Sequence, residues 1–238
     1  MINIYIGYDP KEQEAYDVCE YSIRQRASVP VTIQPISSAH PLYNRREYER
    51  NGTRYDHVDH RPFSTDFSFA RFLVPALQEH EGWAVFMDCD FLILDDIAEV
   101  MEYADPKYAA CVVQRRHVPL EPYKWGGHVQ ALYPRKNWSS FVLWNCSHKS
   151  NSVLVPHVIN EAQGRSLHTF EWLREEEIGN LPDTWNHLVG YDKPIPADLL
   201  RGVHYTSGGP WFDEYKNCEY AELWFDERDK MKEATNAA

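Results

Sequence analysis

The carboxylates of Asp88 and Asp90, separated by Cys89, directly follow an apolar run at residues 83–87. Residues i and i+2 of an extended backbone share a face, so these carboxylates point the same way and repel each other. A hard divalent cation bound through oxygen relieves that repulsion and keeps coordination positions open for the oxygens of a diphosphate. Apolar residues on both sides predict partial burial, which makes uncompensated charge costly. The pattern therefore favours a metal site, and a simple helix cap is the alternative.

A second group that could bind a metal lies near the end of the sequence. His204 follows Val203 and leads into a turn that contains Gly208 and Gly209. A neutral imidazole binds divalent metals, and glycines let the backbone approach a ligand and direct N–H groups toward phosphate oxygens. The alternative is an ordinary turn whose histidine is hydrogen-bonded.

The hydrophobic pattern predicts the elements that must position these residues. Alternation at residues 2–6, helical spacing over 11–27 and an extended segment at 29–36 indicate a parallel βαβ unit. The other predicted strands are 83–87, 109–114, 141–146 and 203–205, the other predicted helices are 67–77, 97–104, 151–163, 166–174 and 220 onward, and the predicted loops are 37–64, 115–137 and 179–202. An open sheet of this class binds ligands at the carboxyl ends of its strands, where the acidic pair stands.

The composition is that of an ordinary globular chain of 238 residues, 43% hydrophobic and 25% charged. It excludes a disordered, collagenous or coiled-coil protein. The chain has 24 Lys and Arg against 36 Asp and Glu, so its net charge is −12 and a nucleic-acid partner is disfavoured. A phosphate site here needs a local positive charge from a metal, a few basic side chains or backbone N–H groups.

The five cysteines are odd in number, form no C-x-x-C pair and have apolar or aromatic neighbours. This pattern predicts buried free thiols in a reducing compartment. The first residues lack the basic segment of a signal peptide, and no apolar run is long enough to cross a membrane. We therefore expect a cytoplasmic protein without a membrane span.

The acidic pair, taken with the later segment His204-Tyr205-x-x-Gly208-x-Pro210-Trp211, resembles the metal ligands of glycogenin-like (family 8-type) glycosyltransferases of the GT-A fold. Other segments follow the landmarks of that family in order. Residues 7–9 resemble the loop that holds the nucleoside, 69–72 the Tyr-Ala-Arg-Leu stretch near the nucleotide sugar, 139–145 the strand beside the donor sugar, and 181–186 the Leu-Pro-x-x-Trp-Asn segment.

The resemblance implies one α/β domain over residues 1–238, with a central, mostly parallel sheet flanked by helices. Its nucleotide-sugar half would cover about 1–115 and its acceptor half about 116–238. The implied reaction moves a sugar from a nucleoside diphosphate sugar, with UDP expected, to an acceptor hydroxyl in glycan or polysaccharide synthesis. The implied cofactor is Mn²⁺, or Mg²⁺, held by Asp88, Asp90 and His204.

Further site residues follow from the same resemblance. The implied donor-binding residues are Gly7, Tyr8, Asp9, Arg71, Ser140, Gly208 and Gly209. The implied catalytic residues are Asp88, Asp90 and Glu171, the last as a general base if the reaction inverts, with Glu175, Glu176 and Asp183 as other carboxylates. The aromatic candidates for stacking on an acceptor sugar are Tyr123, Trp125, His128, Tyr133, Trp138, Trp185 and Trp211.

The chain departs from the family at two places. Gly209 stands where the family has a lysine before Pro-Trp, so Arg71 or Lys216 would have to supply the cation beside the diphosphate. The Asp-Gln pair of the family is also missing, and residues 168–172 stand at about that place. The sequence therefore supports the metal and the nucleotide more firmly than a retaining or an inverting outcome.

Two other functions fit parts of the pattern. A hydrophobic strand followed by D-x-D also resembles the nucleophile strand of haloacid-dehalogenase-type phosphatases. Those enzymes begin with that strand, however, whereas about eighty residues precede it here. The second alternative is a non-catalytic sugar-binding module that kept the fold and lost the lysine and the glutamine.

Overall fold

The structure, a computed structural model, describes residues 1–115, 135 and 137–237, and the backbone alone of 123–124 and 128–129. Its strands are β1 (Ile2–Gly7), β2 (Val31–Ile36), β3 (Glu47–Arg50), β4 (Thr53–Asp56), β5 (Trp83–Met87), β6 (Phe91–Ile93), β7 (Ala110–Val112), β8 (Tyr123–Lys124), β9 (His128–Val129), β10 (Phe141–Asn145), β11 (Ile178–Asn180), β12 (His187–Leu188) and β13 (Gly202–His204).

The α-helices are few, and many turns are 3-10 helices. The α-helices are α1 (Gln13–Arg26), α2 (Val74–Leu77), α3 (Pro156–Glu161), α4 (Gly164–His168) and α5 (Ala221–Asn236). The 3-10 helices are Pro10–Glu12, Ala70–Leu73, Ile97–Tyr103, Trp138–Ser140, Lys149–Val153, Glu175–Glu177, Asp183–Asn186, Ala197–Leu199 and Asp213–Tyr215.

The main sheet, in the part of the chain that is described, has six strands in the order β11-β7-β10-β5-β1-β2. β1 is parallel to β2 and to β5, and β11 is parallel to β7, whereas β10 is antiparallel to both of its neighbours. The β1-α1-β2 unit is thus confirmed, as is the predicted α/β class with a central, mostly parallel sheet flanked by helices.

A smaller sheet has three strands in the order β12-β13-β6. Its strand β6 follows β5 of the main sheet in the sequence, and residues 88–90 connect the two strands. β13 runs antiparallel to β6 and pairs His204 with Phe91. This pairing brings the last strand of the chain to the acidic pair.

Two clusters of buried apolar side chains pack the strands and helices together. The larger one lies around the main sheet and includes most of β1, β5, β7 and β10. The smaller one packs α1, β6, β13 and α5 together through Val18, Leu92, Val203 and Trp224. The cysteines are free thiols, as predicted: Cys19, Cys89, Cys111 and Cys146 are buried and Cys218 is half-buried.

Several predicted element boundaries are wrong. The predicted loop 37–64 contains the hairpin β3–β4, and the predicted loop 179–202 contains short strands and 3-10 turns. The predicted helices 67–77 and 151–163 are each a 3-10 turn followed by a short α-helix, 97–104 is a 3-10 helix, and 166–174 is replaced by the shorter α4. No helix among the described residues is both long enough and apolar enough to cross a membrane.

Candidate metal and nucleotide site

The side chains of Asp88, Asp90 and His204 meet at the junction of the two sheets. One ligand atom of each, two carboxylate oxygens and an imidazole nitrogen, lies within 4.8 Å of the others. Asp88 and Asp90 come directly after β5, and the β6–β13 pairing supplies His204. The N–H of Tyr205 donates to the carbonyl of Asp90 at 2.9 Å and fixes this approach.

Arg71 lies against the first aspartate. Its Nη1 is 2.8 Å from Asp88 Oδ1 and donates to the carbonyl of Ser139 at 2.9 Å. The rings of Phe67 and Phe86 lie 5.2 and 5.1 Å from the guanidinium carbon, and the residue is only 6% exposed. Arg71 is therefore a buried partner of Asp88 and not an exposed residue on a helix surface.

Burial raises the pKa of Asp88 to about 7. Arg71 acts in the opposite direction, and the nearby negative charge of Asp90 raises the pKa further. Burial therefore outweighs the arginine, and an added positive charge would stabilise the ionised carboxylate.

His204 is held on two sides. Its ring stacks on Phe91, with centroids 4.3 Å apart and planes 19° apart. Its Nδ1 is 2.9 Å from Asn186 Oδ1, and its Nε2 is 3.3 Å from Asp90 Oδ1. The imidazole thus presents Nε2 to the acidic pair.

The donor atoms fit a divalent cation. Asp90 Oδ1 is buried and has no hydrogen-bond partner among the described residues, whereas the buried Asp88 Oδ1 has Arg71 Nη1 beside it at 2.8 Å. Buried carboxylate oxygens without such partners are costly unless a positive charge compensates them. A set of two carboxylate oxygens and one imidazole nitrogen suits Mn²⁺, and also suits Mg²⁺ when water or substrate oxygens complete the shell.

Glu12 is a neighbour of the acidic pair that the sequence did not single out. The Cys89 thiol donates to Glu12 Oε2 at 3.2 Å. Burial raises the pKa of Glu12 to about 7, and the charge of Asp90 raises it further. The available signal was its position at the end of the turn that follows β1.

The loop after β1 lies beside this region, and its side chains have local partners. Gly7 ends β1, where a Cβ would lie 2.4 Å from the ring of Phe67. The Tyr8 hydroxyl donates to Gln13 Oε1 at 2.5 Å. The two carboxylate oxygens of Asp9 accept the backbone N–H groups of Lys11 and Asp66, at 3.0 and 3.1 Å.

Asp9 thus caps the turn Pro10–Glu12. Contacts of Tyr8 and Asp9 with a base stay predictions.

Ser140 is hydrogen-bonded both to the connection after β5 and to the 3-10 helix Asp183–Asn186. Its carbonyl accepts the N–H of Asp88 at 2.9 Å. Its hydroxyl donates to the carbonyl of Asn137 at 2.7 Å and accepts from Asn186 Nδ2 at 3.0 Å. Asn186, the last residue of the Leu-Pro-x-x-Trp-Asn segment, received no role from the sequence, because its two partners lie far away along the chain.

The glycine turn after β13 is tightly packed. Gly208 has a φ of +115°, which favours glycine, and its N–H donates to the carbonyl of Tyr205 at 2.8 Å. A Cβ on Gly209 would lie 2.0 Å from the ring of Trp211. Lys216 is exposed beyond this turn.

Three acidic candidates for a general base, Glu171, Glu175 and Glu176, have partners outside the Asp–Asp–His group. Glu171 is exposed and accepts hydroxyl hydrogen bonds from Ser166 and Thr169, at 2.7 and 3.3 Å. Glu175 pairs with Arg135, and Glu176 pairs with Arg174. A catalytic role for Glu171 stays a prediction.

The acceptor aromatics divide into three groups. Trp185 is fully buried and stacks on Phe141, so its predicted role as a sugar-stacking surface is wrong, and Trp138 is also buried. Trp211 is half-buried against Tyr205 and Trp224. The side chains of Tyr123, Trp125, His128 and Tyr133 lie outside the described residues.

Solved structures with a similar fold are glycosyltransferases. The bifunctional glycosyltransferase WbbM aligns with a TM-score of 0.63 and 14% identity over 95% of this chain, and GlyE of Streptococcus pneumoniae TIGR4 with 0.62 and 15% over 96%. The galactosyltransferase LgtC, solved with donor and acceptor sugar analogues, aligns with 0.60 and 13% over 96% of both chains. The chain spans about half of WbbM (49%) and 61% of GlyE.

These likenesses show a glycosyltransferase-type, GT-A-like fold, and membership of the glycogenin-like group stays a prediction. No family model matches the sequence. A curated protein does: Protein CDI of Arabidopsis thaliana is 46% identical over 242 aligned positions, which cover 98% of this chain and 90% of that protein. At that identity and coverage, the chain belongs to the same family as Protein CDI.

Proposed function

We propose that this protein is a metal-dependent glycosyltransferase that moves a sugar from a nucleoside diphosphate sugar, with UDP as the expected nucleotide, to an acceptor hydroxyl. The observation that carries the proposal is the convergence of Asp88, Asp90 and His204 at the junction of two sheets in a glycosyltransferase-type fold. The buried Asp90 Oδ1, which has no hydrogen-bond partner among the described residues, supports a cation at this point.

The proposed cation is Mn²⁺, or Mg²⁺, held by these three side chains. When bound there, it supplies Lewis-acid stabilisation to the diphosphate oxygens that gain charge as the sugar leaves. With the cation bound, His204 would contribute an uncharged nitrogen beside the two carboxylates.

Arg71 is the proposed basic partner of the leaving diphosphate. It already contacts Asp88, and its Nε has no hydrogen-bond partner among the described residues. A guanidinium in a buried position interacts strongly with phosphate oxygens because little water screens it. Lys216 is the alternative, since it follows the glycine turn and its exposed side chain is long and unbranched.

The remaining proposed roles follow the loops at the carboxyl edge of the sheet. Gly7, Tyr8 and Asp9 would line the nucleoside pocket, Ser140 would lie beside the donor sugar, and the backbone of Gly208 and Gly209 would approach the diphosphate. The acceptor half is proposed to lie in about residues 116–238. Glu171 is the proposed base if the reaction inverts.

The cytoplasm is the proposed compartment, and carbohydrate or glycan the proposed acceptor, with no nucleic acid. Free cysteines support a reducing environment, and the net charge of −12 argues against a polyanion as partner.

A ligand screen by thermal shift tests the proposal. UDP, GDP, CDP and their sugars are added with and without Mn²⁺, because a ligand at about 100 times its Kd stabilises the folded state by roughly 2.7 kcal/mol. We expect a UDP-dependent shift that requires Mn²⁺ and disappears in Asp90→Ala. Asp95→Ala, a change two residues beyond β6 in a carboxylate near Arg201, should keep the shift.

Three outcomes would contradict the proposal. A shift that survives unchanged in Asp90→Ala would reject the metal assignment. Metal-dependent nucleotide binding without slow hydrolysis of the nucleotide sugar would favour the non-catalytic binding module. Release of phosphate from simple phosphomonoesters would favour the haloacid-dehalogenase-type phosphatase.

A further inference from the structure

A continuous chain of hydrogen bonds leads from the turn before β10 to the histidine of the candidate site. The Ser140 hydroxyl lies 2.7 Å from the carbonyl of Asn137, Asn186 Nδ2 lies 3.0 Å from Ser140 Oγ, and Asn186 Oδ1 lies 2.9 Å from His204 Nδ1. Ser140, Asn186 and His204 are 3%, 1% and 2% exposed. Water therefore cannot replace any of these partners without a rearrangement.

The direction of each hydrogen bond in this series follows from its first acceptor, the carbonyl oxygen of Asn137. A backbone carbonyl only accepts, so the hydroxyl of Ser140 must donate to Asn137. The Ser140 oxygen then accepts from Asn186, which requires the amide nitrogen of Asn186 to face Ser140 and the amide oxygen to face His204. An amide oxygen also only accepts, so Nδ1 of His204 carries the proton.

We propose that Asn186 is a positioning residue that holds His204 in the tautomer protonated on Nδ1, which leaves the lone pair of Nε2 directed at the acidic pair. The metal-binding part of this inference rests on the proposed function, whereas the tautomer does not. On the other side of the ring, Nε2 faces Asp90 Oδ1 at 3.3 Å.

Stacking on Phe91 cannot select the tautomer of His204. The parallel rings at 4.3 Å fix the plane of the imidazole, but a stacked hydrocarbon ring does not distinguish the two nitrogens. Partners of the second nitrogen fix the tautomer of histidine ligands and tune their basicity, and their loss typically weakens metal binding about 10–100-fold.

NMR of histidine-¹⁵N-labelled, EDTA-treated protein tests the tautomer directly, at about pH 8, above the ordinary histidine pKa of about 6.5. The His204 signals are identified by their absence in His204→Gln. We expect two-bond correlations of the Nδ1-protonated form in the wild-type protein and in Asn186→Asp, whose carboxylate still accepts from Nδ1. In Asn186→Leu the two tautomers should mix, and Ser140→Ala, which frees the amide to rotate, should show the same change in weaker form.

Mn²⁺ titration of the same proteins, followed by calorimetry, tests the consequence for binding. We expect Asn186→Leu to raise the Kd for Mn²⁺ by about 10–100-fold and Asn186→Asp to stay within about threefold of wild type. Near-ultraviolet circular dichroism checks that each variant is folded. If Asn186→Leu does not fold, Ser140→Ala is the variant that tests whether the orientation of the Asn186 amide fixes the tautomer of His204.

The failure of this inference and the failure of the proposed function look different. If wild-type protein binds no Mn²⁺, the proposed function fails while the tautomer measurement still stands. If wild-type protein binds Mn²⁺ but His204 is protonated on Nε2, or Asn186→Leu keeps both the tautomer and the affinity, the role of Asn186 is overturned and the metal site survives.

Discussion

Glu12 adds a third carboxyl group to the surroundings of the acidic pair. Its pKa is raised to about 7 from an ordinary value near 4.5, first by burial and then by the charge of Asp90. Between these two values the folded protein keeps a proton that the unfolded chain loses, so the free energy of unfolding falls as pH rises. Above about pH 7 the full cost of the ionised carboxylate is present.

The substitution Glu12→Gln should therefore stabilise the metal-free protein at high pH only. We expect the free energy of unfolding to rise by about 1–2 kcal/mol at about pH 8 and to change little at about pH 4.5, with the size reduced from the full linkage value because the acidic groups are coupled. The glutamine oxygen can still accept from Cys89, so that hydrogen bond is kept. Urea unfolding in EDTA at both pH values measures the difference.

Glu14→Gln is the matched control, since Glu14 lies on α1 and pairs with Lys232. An equal gain at both pH values, or a loss at about pH 8, would show that Glu12 is not a destabilising charge in the folded state.

The ligand candidates could be predicted from residue type and spacing, whereas the residues that orient them could not. D-x-D after an apolar strand predicts two neighbouring carboxylates at the end of that strand, and the structure has them in the turn between β5 and β6. The partners of Arg71, Ser140 and Asn186 lie many residues away in the sequence, so their roles exist only after the two sheets have met. For Asp9, a turn and a nucleoside contact require the same residue type, and the sequence could not separate them.

At the scale of elements, the site depends on how closely β13 approaches the 3-10 helix Asp183–Asn186. A Cβ on Gly202, the first residue of β13, would lie 2.6 Å from the carbonyl oxygen of Trp185. That oxygen belongs to the backbone and cannot rotate away. β13 carries His204 and the 3-10 helix carries Asn186, so this approach sets the distance between them.

Gly202→Ala should push these two elements apart. We expect a loss of about 1–3 kcal/mol in the free energy of unfolding from overpacking, together with weaker Mn²⁺ binding because His204 and Asn186 separate. Chemical unfolding and Mn²⁺ calorimetry measure the two effects. Gly82→Ala is the control: its φ of +64° adds strain, but its Cβ would meet nothing within 4 Å, so only stability should fall. Unchanged Mn²⁺ affinity in Gly202→Ala would show that the close approach does not govern the site.

Elements with a clear hydrophobic period were predicted, and those without one were missed. β1, β5 and β10 are buried and rich in apolar residues, so their positions follow from the sequence. All four residues of β3 are exposed and the buried residue of β4 is the charged Asp56, so the β3–β4 hairpin shows no buried apolar face to detect. β6 is a three-residue strand separated from β5 only by residues 88–90, and no glycine or proline marks the change of sheet.

At the scale of the whole molecule, segments from both halves of the chain interleave. β10 inserts between β5 and β7 in the main sheet, so the proposed acceptor half completes the sheet of the nucleotide half. α5 returns to α1, where Arg26 donates to the carboxylate of Glu227 at 2.6 and 2.8 Å. These contacts predict one cooperative unfolding unit instead of two separable halves.

Trp224 on α5 is the side chain through which this cooperativity can be tested. It is 1% exposed and packs in the smaller apolar cluster with Val203, which precedes His204. We expect Trp224→Ala to lower the free energy of unfolding by about 3–5 kcal/mol, while the transition stays single and coincident by circular dichroism and by the fluorescence of the other tryptophans. Glu222→Ala, an exposed change on the same helix, should shift it by less than about 0.5 kcal/mol. Two resolved transitions, with α5 lost first and Mn²⁺ binding intact after that step, would instead make α5 an appendage that neither the sheets nor the candidate site needs.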